Sequence, residues 1–316
     1  MKVISFWKTI EGKMARLENI EDNCWVNMVN PDDVEIRKVT EALGIEPSTL
    51  RAALDEEETS YVDVTEDGHT LITVDIPIVN DSASVMYATI PFGIIVTRSN
   101  IVTVCLREST VLSEFENNPP KNLNTSGRTH FILALMLRVA NRYLQYLRQI
   151  NKISGGIEEK LYVSQRNKEV VELLSIQKSL VFFNTSLKAD QATLEKIRRG
   201  KALKMEEDDA EVLEDVLIEL RQAIEMSTIY TDISAGTMDA FASIISNNLN
   251  VIMKALTVIT LLMTIPTMVF SYYGMNMEPI TLLPFNDVSW FPFLLAIVLM
   301  VIVGTYFKIF HFSKKR

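Results

Sequence analysis

Apolar and polar positions change rhythm three times along this chain, and each change marks a different kind of element. Residues 61–64 and 70–74 alternate on either side of Glu66-Asp67-Gly68, and two short apolar runs, 91–97 and 101–106, are joined by Arg98-Ser99-Asn100. Short alternating runs broken by Gly, Asn and Asp predict β-hairpins. Upstream, Asn30-Pro31-Asp32-Asp33 predicts a helix start, with Asn30 as N-cap, Pro31 in the first position, acids in the first turn and Gly44 as the stop. Pro119-Pro120 closes this first section.

The next proline is Pro266, and the interval is rich in Leu, Glu, Lys, Gln and Ala. That pattern predicts long helices, broken near Gly155-Gly156 and Gly200. The last helix starts at Glu206-Glu207-Asp208-Asp209, acids that suit the positive end of a helix dipole. It continues to Tyr273 with at most a kink at Pro266, and Gly236 is the weak point of its polar part. At 1.5 Å per residue this is roughly 100 Å of helix, a length expected of a stalk packed against copies of itself.

The third rhythm is apolar throughout. Residues 255–273 and 288–307 carry no charge, and each stretch of about 20 residues matches the hydrocarbon thickness of a bilayer. Lys308, His311, Lys314, Lys315 and Arg316 follow the second stretch and Lys254 precedes the first, whereas the connector 277–287 holds only the acids Glu278 and Asp287. Positive residues stay inside, so both termini are expected in the cytoplasm and the connector outside. The expected architecture is α+β: a cytoplasmic α/β domain over 1–125, long cytoplasmic helices and a stalk over 126–254, two transmembrane helices over 255–307 with an outer loop at 274–287, and a basic cytoplasmic tail at 308–316.

A formal charge of −9 argues against a nucleic-acid partner, which needs a basic face, and suits the handling of cations. Cys24 and Cys105 match no metal-ligand spacing and no disulfide framework, so a reducing compartment is expected for most of the chain. The first eight residues hold no apolar core long enough for a signal peptide. His69, His130 and His311 lie far apart, and no phosphate-binding glycine loop or Ser-His-Asp or Cys-His pattern is present. An enzyme is not expected, nor an organic cofactor.

Within the first apolar stretch and the turn before it, Asn250, Met253, Thr257, Thr260, Thr264, Thr267 and Ser271 recur at steps of 3 and 4 and share one helix face. A single Thr in a membrane helix is unremarkable, because its hydroxyl bonds back to its own backbone. A whole face is different, since lipid would reject it. In a ring of identical helices such a face both packs and lines a water-filled path, which requires a cyclic homo-oligomer. The face ends at Tyr273-Gly274-Met275-Asn276, where Gly and Asn are poor helix residues but good suppliers of exposed carbonyl oxygens.

Tyr273-Gly274-Met275-Asn276 between two C-terminal apolar stretches resembles the signature of the CorA magnesium transporters. The resemblance extends through Asn247-Asn248-Leu249-Asn250, Met253-Lys254 and Leu256-Thr257, to Trp25-Val26 with Asn30-Pro31 and to Asp75-Ile76-Pro77, in order along essentially the whole chain. It implies a homopentamer with a cytoplasmic funnel, a pore lined by the first span and Gly274-Met275-Asn276 as the selectivity ring at the outer mouth. Asn250, Met253, Leu256 and Thr260 would line the inner pore, with Met253 and Leu256 as an apolar gate; the face defined by spacing takes Thr257 where the family pattern takes Leu256. It also implies that cytosolic Mg²⁺, bound between subunits, holds the ring closed. Candidate ligands lie in the acidic run with Asp208, Asp209 and Asp215; counting back from the membrane without gaps, Asp215 falls at the family's acidic stalk position. The partner acid is expected from the α/β domain, with Asp75 and Asp81 as alternatives. Three departures are visible: Met277 stands where an aromatic is frequent, Glu278-Pro279 reverses the usual order, and Thr264 and Thr267 make the outer half more polar.

Mg²⁺ dehydrates reluctantly, so oxygens that hydrogen-bond its waters suit a first contact better than ligands that replace them. Asn276 offers an amide oxygen and Gly274 its own carbonyl; Glu278 and Asp287 would concentrate cations at the mouth. A divalent ion gains roughly 4–5 kcal/mol per 100 mV moving inward down a negative potential, so ATP is not needed. The expected activity is passive Mg²⁺ influx across the cell inner (plasma) membrane, extending to Co²⁺ or Ni²⁺. The alternatives are a zinc or other divalent-cation transporter of the same fold, a branch that tends to carry Ile at the position of Met275, and a non-conducting membrane-anchored cation sensor.

Overall fold

The computed structural model describes residues 3–80, 85–121, 123–164, 167–200, 202–274 and 290–307. Its first strands are β1 (Val3–Ile10), β2 (Lys13–Leu17) and β3 (Trp25–Val29), followed by α1 (Asp33–Leu43) and α2 (Pro47–Ala52). Then come β4 (Tyr61–Val64), β5 (Thr70–Val79), β6 (Tyr87–Val96), β7 (Ile101–Cys105) and α3 (Thr110–Asn117). Four further helices complete the chain: α4 (Arg128–Ser164), α5 (Asn167–Arg199), α6 (Glu207–Tyr273) and α7 (Phe291–Phe307).

The strands form one sheet in the order β2-β1-β3-β7-β6-β5-β4. Neighbours are antiparallel except β3 and β7, which pair in parallel from Trp25 opposite Ile101 to Val29 opposite Cys105. These two central strands are buried along their whole length, as expected where both faces of a sheet are covered. Alternation sends Val26 and Met28 to one face, where they pack with Ile36 and Val39 of α1, Leu50 of α2 and Val102 and Val104. On the other face Trp25 meets Phe115 of α3 and Phe131 of α4, with ring centroids 5.7 and 5.2 Å apart. There α4 and α5 also lie against β5 and β6, with Tyr143 edge-on to Phe183 at 5.0 Å.

The hairpin over Glu66-Asp67-Gly68 forms as expected, with Tyr61 opposite Thr73 and Gly68 at a φ of 80°. The run 91–97 belongs to a longer strand that starts at Tyr87. Two expectations are corrected. The N-cap of α1 is Asp32, not Asn30: its carboxylate accepts from the N–H groups of Val34 and Glu35, while Glu35 reaches back to the N–H of Asp32. Asn30 instead adopts a left-handed conformation, φ 48°, and donates its N–H to the carbonyl of Cys105 at 2.8 Å. It therefore ends β3 against β7, and Pro31 precedes the helix. Gly44 does stop α1, at φ 66°. The second correction is at Gly155-Gly156, where α4 continues unbroken to Ser164. Ile150, Ile157 and Leu161 are buried to either side, and their packing outweighs a penalty of about 1 kcal/mol for each glycine.

The break at Gly200 and the start of the last long helix at Glu207 fall where the composition places them, and α6 passes Gly236 and Pro266 without ending. The chain divides into two compact units, Met1–Met238 and Asp239–Arg316.

Candidate functional site

The helix α6, whose apolar part lies in the second unit, is long and apolar enough to cross a membrane, and α7 is a shorter apolar helix of 17 residues. The two touch along one side of α6. Leu262 lies 4.0 Å from where a Cβ on Gly304 would stand, and the rings of Tyr273 and Phe291 are 6.3 Å apart. Ala255, Val258, Leu262, Ile265, Pro266, Val269 and Tyr273 are accordingly half-buried or buried. Asn250, Met253, Thr257, Thr260, Thr264, Thr267 and Ser271 are all exposed. At about 100° per residue the two sets lie roughly opposite each other on the helix. The polar face therefore points away from α7. Leu256 is exposed beside Thr257, so both lie within reach of the same side.

The threonines share a further property. Thr257 donates to the carbonyl of Met253 at 2.8 Å, Thr260 to Leu256 at 2.9 Å, Thr264 to Thr260 at 2.8 Å and Thr267 to Met263 at 3.1 Å. A hydroxyl has one proton and two lone pairs. With the proton committed to the helix, each threonine offers its surroundings only acceptor capacity. Such a row suits the water shell of a cation, whose molecules turn their hydrogens outward.

At the end of this face Gly274 donates its N–H to the carbonyl of Phe270 at 2.9 Å. A Cβ at Gly274 would stand 3.0 Å from that oxygen, so glycine allows the chain to leave the helix closely. Met275, Asn276, Glu278 and Asp287 lie outside the described residues, as does Asp81.

The acids proposed to sense cations have separate surroundings in the first unit. Asp209 is buried, accepts from the N–H of Glu206 at 2.9 Å and faces His130 at 3.4 Å. Glu214 bridges Arg198 and Arg221 at 3.1 and 2.7 Å. Asp208 and Asp215 are exposed. Among the described residues, no three His, Cys, Asp or Glu side chains converge as a metal cluster.

Asp75 packs beneath α5. Its N–H, beyond the reach of the short strand β4, donates to Asp190 at 2.8 Å; Asp190 also accepts from Ser60 at 2.7 Å. Tyr143 donates to the carbonyl of Asp75 at 3.1 Å. Asp190 is 3 % exposed. Burial, and then the neighbouring Asp75 charge, push its carboxyl well above the usual carboxylate range; burial also raises Asp75. This pair was missed in the sequence, although a signal existed. Asp190 interrupts the apolar spacing Phe183, Leu187, Leu194 and Ile197 on α5.

An α/β domain followed by a helix that becomes uncharged, apolar and hydroxyl-striped is the layout of a membrane transport protein. The CorA-like Mg²⁺ transporter protein model matches residues 21–312, and the chain belongs to that family. The cobalt/magnesium transport protein CorA of Methanocaldococcus jannaschii is 24 % identical over 288 residues, covering 90 % of this chain and 89 % of that one. The protein of the same name from Thermotoga maritima is 25 % identical over 182 residues, or 57 % of this chain and 51 % of that one. The complete structure of the M. jannaschii CorA magnesium transporter superposes with a TM-score of 0.81, at 24 % identity, covering 100 % of this chain and 99 % of that one. The α/β domain and long helix are thus those of the CorA fold.

Proposed function

We propose that the chain is one subunit of a homopentameric Mg²⁺ channel that admits the ion passively, driven by the membrane potential, and also passes Co²⁺ or Ni²⁺. The observation that carries this reading is the face of α6 turned away from α7, with its threonine protons committed to the helix. In a ring of α6 helices that face encloses a path of oxygen acceptors, while α7 supplies the second span and meets lipid. Tyr273, Gly274, Met275 and Asn276 form the outer selectivity loop, with Glu278 and Asp287 gathering cations. Met253 and Leu256 form the apolar constriction, which blocks a hydrated ion by dewetting. Both termini lie in the cytoplasm.

Feedback is assigned to Mg²⁺ held between subunits at Asp215 and a partner acid, Asp75 or Asp81, with Asp208 and Asp209 nearby in sequence. Loss of the ion leaves facing carboxylates to repel and biases the ring open.

The test is Mg²⁺ entry into proteoliposomes under an inside-negative potential, with both faces initially Mg²⁺-free. Wild type should fill rapidly. Asn276→Ala should abolish entry, and Thr260→Val should slow it several-fold while Thr260→Ser does not. Absence of entry in wild type would replace the channel by a membrane-anchored sensor.

A further inference from the structure

The second unit holds the cations Lys254, Lys308, Lys314, Lys315 and Arg316, all at the same end of the two apolar stretches. No Asp or Glu lies between Asp239 and Glu278, and none follows Asp287. Lys254 is exposed and forms no ion pair among the described residues. At about 100° per residue it stands on the flank of α6, between the hydroxyl stripe and the side packed on α7.

The packing of the two helices fixes the level at which these charges sit. Tyr273 meets Phe291 and Leu262 meets Gly304, so α6 and α7 run antiparallel and Phe307 comes level with the turn around Ile259. Lys254 is five residues further along α6, roughly 7–8 Å. The nine residues 308–316 reach roughly 30 Å when extended, enough to bring their cations to the level of Lys254.

Exposed aromatic rings mark the same level. Trp290 is 62 % exposed at one end of α7 and Tyr306 is 56 % exposed at the other. Sixteen residues of helix separate them, roughly 24 Å, near the thickness of a hydrocarbon core. Trp and Tyr favour the two boundaries of that core. Beyond the Tyr306 boundary the chain presents only positive charge, with the long stem of Lys254 able to carry its ammonium outward along α6.

A partner for this surface must be anionic and must lie at the boundary. Acidic phospholipid headgroups meet both conditions. They diffuse to the charges, so no fixed spacing between the cations is required, unlike a small soluble anion that needs a shaped site. We propose that Lys254 and the basic segment 308–316 together hold acidic phospholipids around the protein in the leaflet at this end of α6 and α7. That leaflet is the cytoplasmic one in the topology proposed above. The proposal rests on the reading that both helices cross the bilayer, but not on conduction.

The test uses full-length protein in phosphatidylcholine bilayers free of Mg²⁺. Spin-labelled phosphatidylglycerol and phosphatidylcholine are compared by electron paramagnetic resonance, which resolves lipid held at the protein surface. Wild type should prefer phosphatidylglycerol by about five-fold, the effect of one basic residue at an anionic surface. The preference should vanish at about 1 M salt, where the screening length is about 3 Å. Lys254→Gln should lower it by about two-fold or more, and Lys254→Gln combined with Lys308→Gln, Lys314→Gln, Lys315→Gln and Arg316→Gln should remove it. Replacing the four lysines by arginine should preserve it. Equal retention of the two lipids, a preference that survives in the fully neutralised variant, or displacement of phosphatidylglycerol by glycerol phosphate at matched ionic strength would each overturn the proposal, the last pointing to a soluble anion. Retention of neither lipid would overturn the membrane-spanning reading along with it.

Discussion

Asp190 stands where an apolar side chain would be expected, and its surroundings explain why it is tolerated. It completes the hydrogen bonding of an N–H on β5 that β4 is too short to reach, and it takes the Ser60 hydroxyl at the same time. The cost is a second buried carboxyl beside Asp75, with ionisation opposed by burial and by the neighbour. Because these carboxyl groups titrate higher in the folded chain than in the unfolded one, the folded state keeps protons that the unfolded state releases. Stability therefore falls as pH rises from the ordinary carboxylate range, near 4, through the raised folded values. Asp190→Asn keeps an acceptor for both donors and removes one ionisation. The variant should melt at a higher temperature than wild type at neutral pH and show a flatter profile across this interval, as a thermal-denaturation series in pH would record. Thr257, Thr260, Thr264 and Thr267 show the opposite situation, exposed side chains whose single hydroxyl proton is given to their own helix. Their spacing was legible in the sequence. The direction of each hydroxyl required the helix.

At the scale of elements, the hairpins, the stop of α1 at Gly44 and the long helices were legible because each rests on a local rule: turn chemistry, a left-handed cap or an apolar period. The cap of α1 was misplaced by two residues because Asn30 and Asp32 are both good caps in isolation. Only the pairing of β3 with β7 draws Asn30 into a left-handed turn and leaves the role to Asp32. Strands β1, β2 and β3 gave no comparable signal. β3 is buried on both faces, so it lacks the alternation of a half-exposed strand. The contact between α2 and the sheet was likewise invisible beforehand. A Cβ on Gly93 would lie 2.2 Å from Cβ of Ala53 and 3.0 Å from Cγ1 of Val104. Gly93→Ala should thus destabilise the α/β domain by roughly 1–3 kcal/mol, the usual cost of overpacking, measurable by urea denaturation followed through tryptophan fluorescence.

At the scale of the molecule, one copy leaves the striped face of α6 bare, together with apolar side chains such as Ile252, Met263 and Met268. In the pentamer proposed above, both kinds of surface would gain a suitable neighbour, water along the stripe and protein or lipid elsewhere. Native mass spectrometry of the detergent-extracted protein should give five times the 35.9 kDa chain mass once bound detergent is removed; a monomer or dimer would contradict the pentamer. Gly155 and Gly156 have a different bearing on the whole. Neither makes a turn nor admits a neighbour, for a Cβ at either would meet nothing within 4 Å. Alanine at both positions would be accommodated and would favour the helix by about 1 kcal/mol each. The two glycines thus leave this turn of α4 with less local support than its neighbours, and amide exchange should be faster there than along the buried stretch from Phe131 to Leu147.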